Sequence, residues 1–254
     1  MKRLWGLIVL SLLAIVSLTG CAVLKLFVET VEGSGESIVE KRELGSFNAI
    51  EAHGDIELFV TQQNTGIEVH AESNLMKYIH TYVEDQTLII EIADTDGSSI
   101  NLKPLKPIKV YVKLVRIIGV SLSGGVEFTS GQLVADNAEI NLSLIEGSTG
   151  KINAVRTGVL NIYLADGSEL EIVDGKVTEQ YIKASGSSKY SAEWVQSDVT
   201  EIILSDGSEV SIWAEDTFNV DLSGGSMAYY YGSPVHLNEI RSKGNSDYIS
   251  RGER

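Results

Sequence analysis

The sequence predicts an all-β protein built as a solenoid of stacked coils, and three observations carry that prediction. A short phrase recurs six times between residues 122 and 226, with turn glycines Gly125, Gly147, Gly167, Gly186, Gly207 and Gly225 at intervals of 22, 20, 19, 21 and 18 residues. A fixed period of this length marks a repeat architecture. The phrases also share columns. Leu122, Leu144, Leu164, Leu204 and Leu222 open five of them, and Ser148, Ser168, Ser187, Ser208 and Ser226 close five. Finally, the flanking segments alternate apolar and polar residues, as in Glu139-Ile140-Asn141-Leu142-Ser143 and Phe218-Asn219-Val220-Asp221-Leu222. Period-2 alternation is the mark of a strand with one buried face.

Each element follows from these columns. Glycine takes the positive φ of a sharp turn, and Asp or Ser bonds to nearby backbone. One coil therefore holds two short strands, a tight glycine corner and a looser return. A single coil cannot bury its apolar face. Coils stacked about 4.8 Å apart pair as parallel strands and line up their Leu and Ile columns into one core. An antiparallel sandwich needs turns as well, but not the same turn at one spacing.

Residues 46–120 lack the clear repeat yet contain strands, among them Ile56-Glu57-Leu58-Phe59-Val60, Gly66-Ile67-Glu68-Val69-His70 and Thr87-Leu88-Ile89-Ile90-Glu91-Ile92. They read as an irregular β lobe docked on the stack. Expected boundaries are a signal peptide over 1–20, a lipidated Cys and tether over 21–44, the lobe over 45–120, the solenoid over 121–246 and a polar tail over 247–254.

Lys2 and Arg3 precede an apolar stretch, Leu4 to Val16, too short to span a bilayer comfortably, and Leu18-Thr19-Gly20-Cys21 follows. This resembles the lipobox of bacterial lipoproteins, which implies acylation of Cys21 and anchoring to a membrane without a transmembrane helix. Cys21 is the only cysteine, so no intramolecular disulfide forms. Ala22 stands where Asp often signals inner-membrane retention, so the resemblance implies the outer membrane of a bacterial cell envelope. The net charge of −15 becomes −17 once Lys2 and Arg3 are removed. Such a surface repels nucleic acid and anionic lipid headgroups.

Further motifs resemble the head GIN domain family of auto-transporter adhesins. They are the opening strand Phe47-Asn48-Ala49-Ile50-Glu51-Ala52-His53-Gly54-Asp55-Ile56 running on to Val60-Thr61-Gln62-Gln63, the acidic Ala71-Glu72-Ser73-Asn74-Leu75, the pair around Val83-Glu84-Asp85-Gln86-Thr87-Leu88-Ile89-Ile90, and the Ser/Gly-Gly phrase from Ser121. The resemblance covers roughly Gly33 to Ser246. It implies right-handed parallel β-helix-like lobes, a lipoprotein or secreted location and adhesin-like binding, and it brings no catalytic residues. The chain departs from the pattern at Ala52-His53-Gly54, and at Lys183, which stands in the apolar column when the phrases are aligned on their glycines.

Candidate sites are few. Glu146, Asp166 and Asp206 share the column before the turn glycine, with Ser185 between the last two. Two adjacent carboxylates with turn carbonyls and water could ligate calcium, whereas solvated turn residues need no ion. Trp213 with Tyr229, Tyr230 and Tyr231 forms either an exposed aromatic ligand-binding patch or a cap over the last coils. Ser148-Thr149-Gly150-Lys151 has the Ser-x-x-Lys string of penicillin-binding enzymes but enters a strand, where Ser and Lys do not face each other. His53, His70, His80 and His236 lack zinc-ligand spacing. The resulting expectation is a non-enzymatic envelope lipoprotein that contacts protein or glycan. Two alternatives stand beside it: a structural protein that self-associates as a homodimer, and a polysaccharide-active β-helix enzyme.

Overall fold

The computed structural model describes residues 28–253. The lipobox and Cys21 lie outside the described residues. Among the described residues no helix is long and apolar enough to cross a membrane.

The stack is built from two long parallel ladders joined by one corner. In the first ladder, Gly119–Ser123 pairs with the later part of Glu127–Leu144, which pairs with the later part of Thr149–Leu164, followed by Gly175–Ala184, Val195–Leu204, Thr217–Leu222 and His236–Ser242. In the second, the beginnings of Glu127–Leu144 and Thr149–Leu164 lead to Glu169–Ile172, Lys189–Ala192, Glu209–Trp213, Met227–Tyr231 and Asp247–Ser250. The expected loose return is in part a third ladder: Val155 pairs with Gly175, and Gly175 with Val195.

The corner turns on two consecutive residues of positive φ. Those pairs are Gly124–Gly125, Glu146–Gly147, Asp166–Gly167, Gly186–Ser187, Asp206–Gly207, Gly224–Gly225 and Gly244–Asn245. Positive φ at both central positions is the requirement of a type I′ turn. The second residue also ties the coils together: the amides of Gly147, Gly167, Ser187 and Gly207 donate to the carbonyls of Asp166, Gly186, Asp206 and Gly224, at 2.8–3.0 Å. Closing each corner, buried Ser148, Ser168, Ser188, Ser208 and Ser226 donate their hydroxyls to the carbonyl three residues back, at 2.7–2.9 Å. Polar side chains are thus buried with their hydrogen bonds made.

This register corrects the glycine alignment at one coil. Gly186 lies in the file of Asp166 and Asp206, and Ser187 lies in the file of Gly167 and Gly207. The core column is Leu144–Leu164–Ala184–Leu204–Leu222, so Ala184 is the inward residue and the closing serine is Ser188. Lys183 points outward, its Nζ 5.8 Å from the ring centre of Tyr163. Because both turn positions have positive φ, glycine can occupy either one, and the order Gly-Ser replaces Asp-Gly here.

The N-terminal part is irregular, but it is also part of the stack. Ala49–His53 pairs with Gly119–Ser123, and Glu57–Gln62 with the start of Glu127–Leu144. Thr87–Ile92 and Lys109–Leu114 stack on the opposite side of the same two strands. Antiparallel strands then cover the outer edges: Ile79–Glu84 beside Thr87–Ile92, Gly66–Glu72 beside Lys109–Leu114, and Ser37–Arg42 beside Gly66–Glu72. These strands pair the outer edges of Thr87–Ile92 and Lys109–Leu114 and leave Ile79–Glu84 and Ser37–Arg42 as the terminal strands.

Within the stretch expected as a tether, Glu29–Glu32 pairs with Ile100–Lys103, and Ser37–Arg42 joins the main sheet. Gly33-Ser34-Gly35 between them is clamped. Glu72, 0 % exposed, accepts the Gly35 amide at 2.5 Å and the Leu105 amide at 2.9 Å. At the other end, Asp247–Ser250 of the expected tail forms the last rung of the second ladder.

Candidate functional site

A groove of about 610 Å³ crosses the outer face of the second ladder. Alternation along the strands sends Phe128 and Leu170 to the core and turns their neighbours outward. Register then sets the outward residues in rows: Glu127, Thr149, Glu169 and Lys189 in one, and Thr129, Lys151, Glu171 and Ser191 in the next. The Lys151 ammonium lies 2.7 Å from a Glu171 carboxylate oxygen, and the Lys189 ammonium 3.8 Å from one of Glu209. At the rim, Glu193 and Trp194 make the turn into the strand Val195–Leu204, and the Trp194 residue is 49 % exposed. The arrangement is a shallow trough of paired charges and hydroxyls with one large aromatic at its edge. It suits a polar extended ligand that stacks on an indole.

A second groove of about 350 Å³ lies on the first ladder, where Ser121, Ser143 and Tyr163 form one row and Gly119, Asn141 and Asn161 the next. The Asn161 amide donates to the Asn141 side-chain oxygen at 3.0 Å and to Glu139 at 2.6 Å. At the N-terminal end of the Ser121 row stands Glu51, which lines the groove, and in the adjoining row His53 pairs with Ser123. His53 Nε2 lies 2.7 Å from Glu51 Oε1, and His53 Nδ1 lies 2.6 Å from Ser123 Oγ.

The residues singled out from sequence fall as follows. Glu146, Asp166 and Asp206 do stand in one file, but Gly186, not Ser185, separates the last two. Ser205 Oγ donates to Asp206 at 2.8 Å. Among the described residues no group of three or more His, Cys, Asp or Glu side chains is arranged to hold a metal ion. The aromatic residues divide. Trp213 is 9 % exposed and its indole donates to Glu215 at 2.7 Å. Tyr230 leans on the core with its ring centre 5.1 Å from that of Phe218. Tyr229 lies outside, under the Arg251 guanidinium at 4.3 Å, and Tyr231 pairs in register with Trp213. Trp194, which carries no pattern in the sequence, is the most exposed tryptophan of the described residues.

A sheet-walled rod with shallow polar troughs defines a β-solenoid of the kind that meets its partners along an extended face. The chain belongs to the family described as "Putative auto-transporter adhesin, head GIN domain", whose model matches residues 46–234. Solved structures share the fold. A protein named as a putative adhesin from Bacteroides fragilis superposes with a TM-score of 0.75 at 16 % identity, covering 88 % of this chain and 99 % of that one. A second putative adhesin, from Parabacteroides merdae, gives 0.67 at 17 %, covering 87 % and 99 %. A protein named as a putative lipid binding protein, from Parabacteroides distasonis, gives 0.69 at 18 %, covering 87 % and 99 %. No curated protein matches the chain.

Proposed function

We propose that the protein is an envelope-anchored lipoprotein whose solenoid works as an adhesin-like recognition module, binding a neutral glycan along the groove of the second ladder. The observation that carries this reading is the groove itself. It joins an exposed indole at Trp194 to a row of hydroxyl, ammonium and carboxylate groups on adjacent coils. An aromatic face takes the apolar side of a sugar ring, and the charged and hydroxyl groups bond to its hydroxyls. A net charge of −15, or −17 without Lys2 and Arg3, disfavours acidic polymers and leaves neutral ones. Anchoring rests on Leu18-Thr19-Gly20-Cys21, and the outer membrane on Ala22 in the place where Asp signals inner-membrane retention.

The test is a glycan array probed with the full chain in detergent. Binding to neutral glycans that Trp194→Ala weakens about tenfold or more supports the reading, since truncating a hot-spot aromatic anchor costs about 2 kcal/mol or more. Binding unchanged by that substitution contradicts the assignment of the groove. Metabolic labelling with palmitate tests the anchor. Label lost in Cys21→Ser supports it, and label retained overturns it.

A further inference from the structure

The Glu51–His53–Ser123 chain has a chemistry that glycan recognition does not use. We infer that Ser123 is an activated nucleophile, with His53 as its base, able to accept an acyl group from an exposed carboxylic ester. A carboxylate only accepts hydrogen bonds. Glu51 Oε1, 2.7 Å from His53 Nε2, therefore holds the imidazole proton on Nε2. Nδ1 is left with its lone pair, and it lies 2.6 Å from Ser123 Oγ, so the hydroxyl donates to it. Nucleophile, base and orienting acid thus stand in the order that serine acyl transfer requires, recognised by roles and geometry and not by chain position. Here the roles of the two imidazole nitrogens are exchanged relative to the familiar triad, which the proton transfer permits.

The surroundings suit access. Ser123 is half-buried, and the His53 and Glu51 side chains are each 42 % exposed. Gly54 follows His53, and Gly124 and Gly125 follow Ser123, so three residues without side chains flank the hydroxyl. Gly124 and Gly125, both at positive φ, form the turn that follows the nucleophile, and turn amides are the type of group that stabilises an oxyanion. The adjoining groove has Glu51 as its only charged lining residue, beside Ser121, Asn141, Ser143, Asn161 and Tyr163. A neutral, hydroxyl-bearing polymer with pendant esters matches that lining.

The reaction balances without a cofactor. Ser123 Oγ bonds to the ester carbonyl carbon while its proton passes to His53 Nδ1. The bond from that carbon to the alkoxy oxygen breaks, and the alcohol leaves with the proton. Water then attacks the Ser123 ester, giving its proton through His53 to Ser123 Oγ, and the carboxylic acid departs. Glu51 is a positioning residue that acts through the imidazole.

The test uses a fluorophosphonate probe on the full chain in detergent, with the adduct mapped by mass spectrometry and folding checked by circular dichroism. The expected result is one adduct on Ser123, absent in Ser123→Ala, and forming about 100-fold more slowly in His53→Gln. Glu51→Ala slows labelling, and Glu51→Gln, which keeps an acceptor for Nε2–H, recovers part of the rate. A folded wild-type chain that stays unlabelled, an adduct only at another residue, or equal labelling in His53→Gln overturns the inference. The glycan-array result is independent of each of these outcomes.

Discussion

Gly186 sits directly over Asp166: a Cβ on the glycine would lie 2.9 Å from the Asp166 amide nitrogen. Gly147 has the same kind of positive φ, yet a Cβ there would meet nothing within 4 Å. The two glycines separate conformational strain from steric contact. Gly147→Ala carries only the left-handed backbone cost, about 1–2 kcal/mol. Gly186→Ala adds overpacking against fixed backbone, about 1–3 kcal/mol more. Urea unfolding of the two variants checks the difference, and equal losses would place Gly186 away from the Asp166 corner.

Glu72 holds two otherwise separate segments with one buried carboxylate, through the Gly35 and Leu105 amides. A Cβ on Gly33 would lie 1.8 Å from Glu72 Oε2, so the carboxylate fills the space the glycine leaves. Glu72→Ala removes charge-assisted bonds from buried amides and costs about 3 kcal/mol. It also exposes residues 29–42 to limited proteolysis, whereas Glu72→Gln, which keeps one acceptor, gives an intermediate cleavage rate.

Tyr190 is 0 % exposed, and its hydroxyl has no hydrogen-bond partner among the described residues. Tyr190→Phe removes that unsatisfied group and stabilises the protein by about 1 kcal/mol. Burial also pushes the Tyr190 phenol well above its usual range. A raised folded pKa contributes stability that is complete below the unfolded phenol range, near 10, and is lost as pH rises beyond it. Tyr190→Phe should therefore lose less stability than the wild type between about pH 10 and 12, measured by urea midpoints across that interval.

The stack was legible because Leu144, Leu164, Leu204 and Leu222 share one environment, and an identical turn at each corner imposes an identical short string. At Gly186-Ser187 the string changes without changing the turn, since either turn position accepts glycine, and the glycine alone does not fix the register there. The membership of Ala49–His53 and Glu57–Gln62 in the stack was not legible, because their partners Gly119 and Glu127 lie 70 residues onward. The excursion between them adds edge-covering strands that have no period. The same separation hid His53 and Ser123, whose juxtaposition belongs to neither local sequence. Trp194 was missed for a different reason. It lies at a turn, where exposure depends on the coil's path, while the tyrosine run 229–231 drew notice through composition although Tyr230 leans inward.

The central claim is that each coil lies on its predecessor about one strand spacing away, with Lys151 beside Glu171 and Ser191 one coil further. Cysteine cross-linking tests it most directly, in the full chain carrying Cys21→Ser. Lys151→Cys paired with Glu171→Cys places the α-carbons about 4.8 Å apart, within disulfide reach, while Lys151→Cys paired with Ser191→Cys places them about 10 Å apart, beyond it. The account predicts a rapid intramolecular disulfide in the first pair and none in the second. Equal cross-linking in both pairs, or in the second alone, would contradict the stacked register.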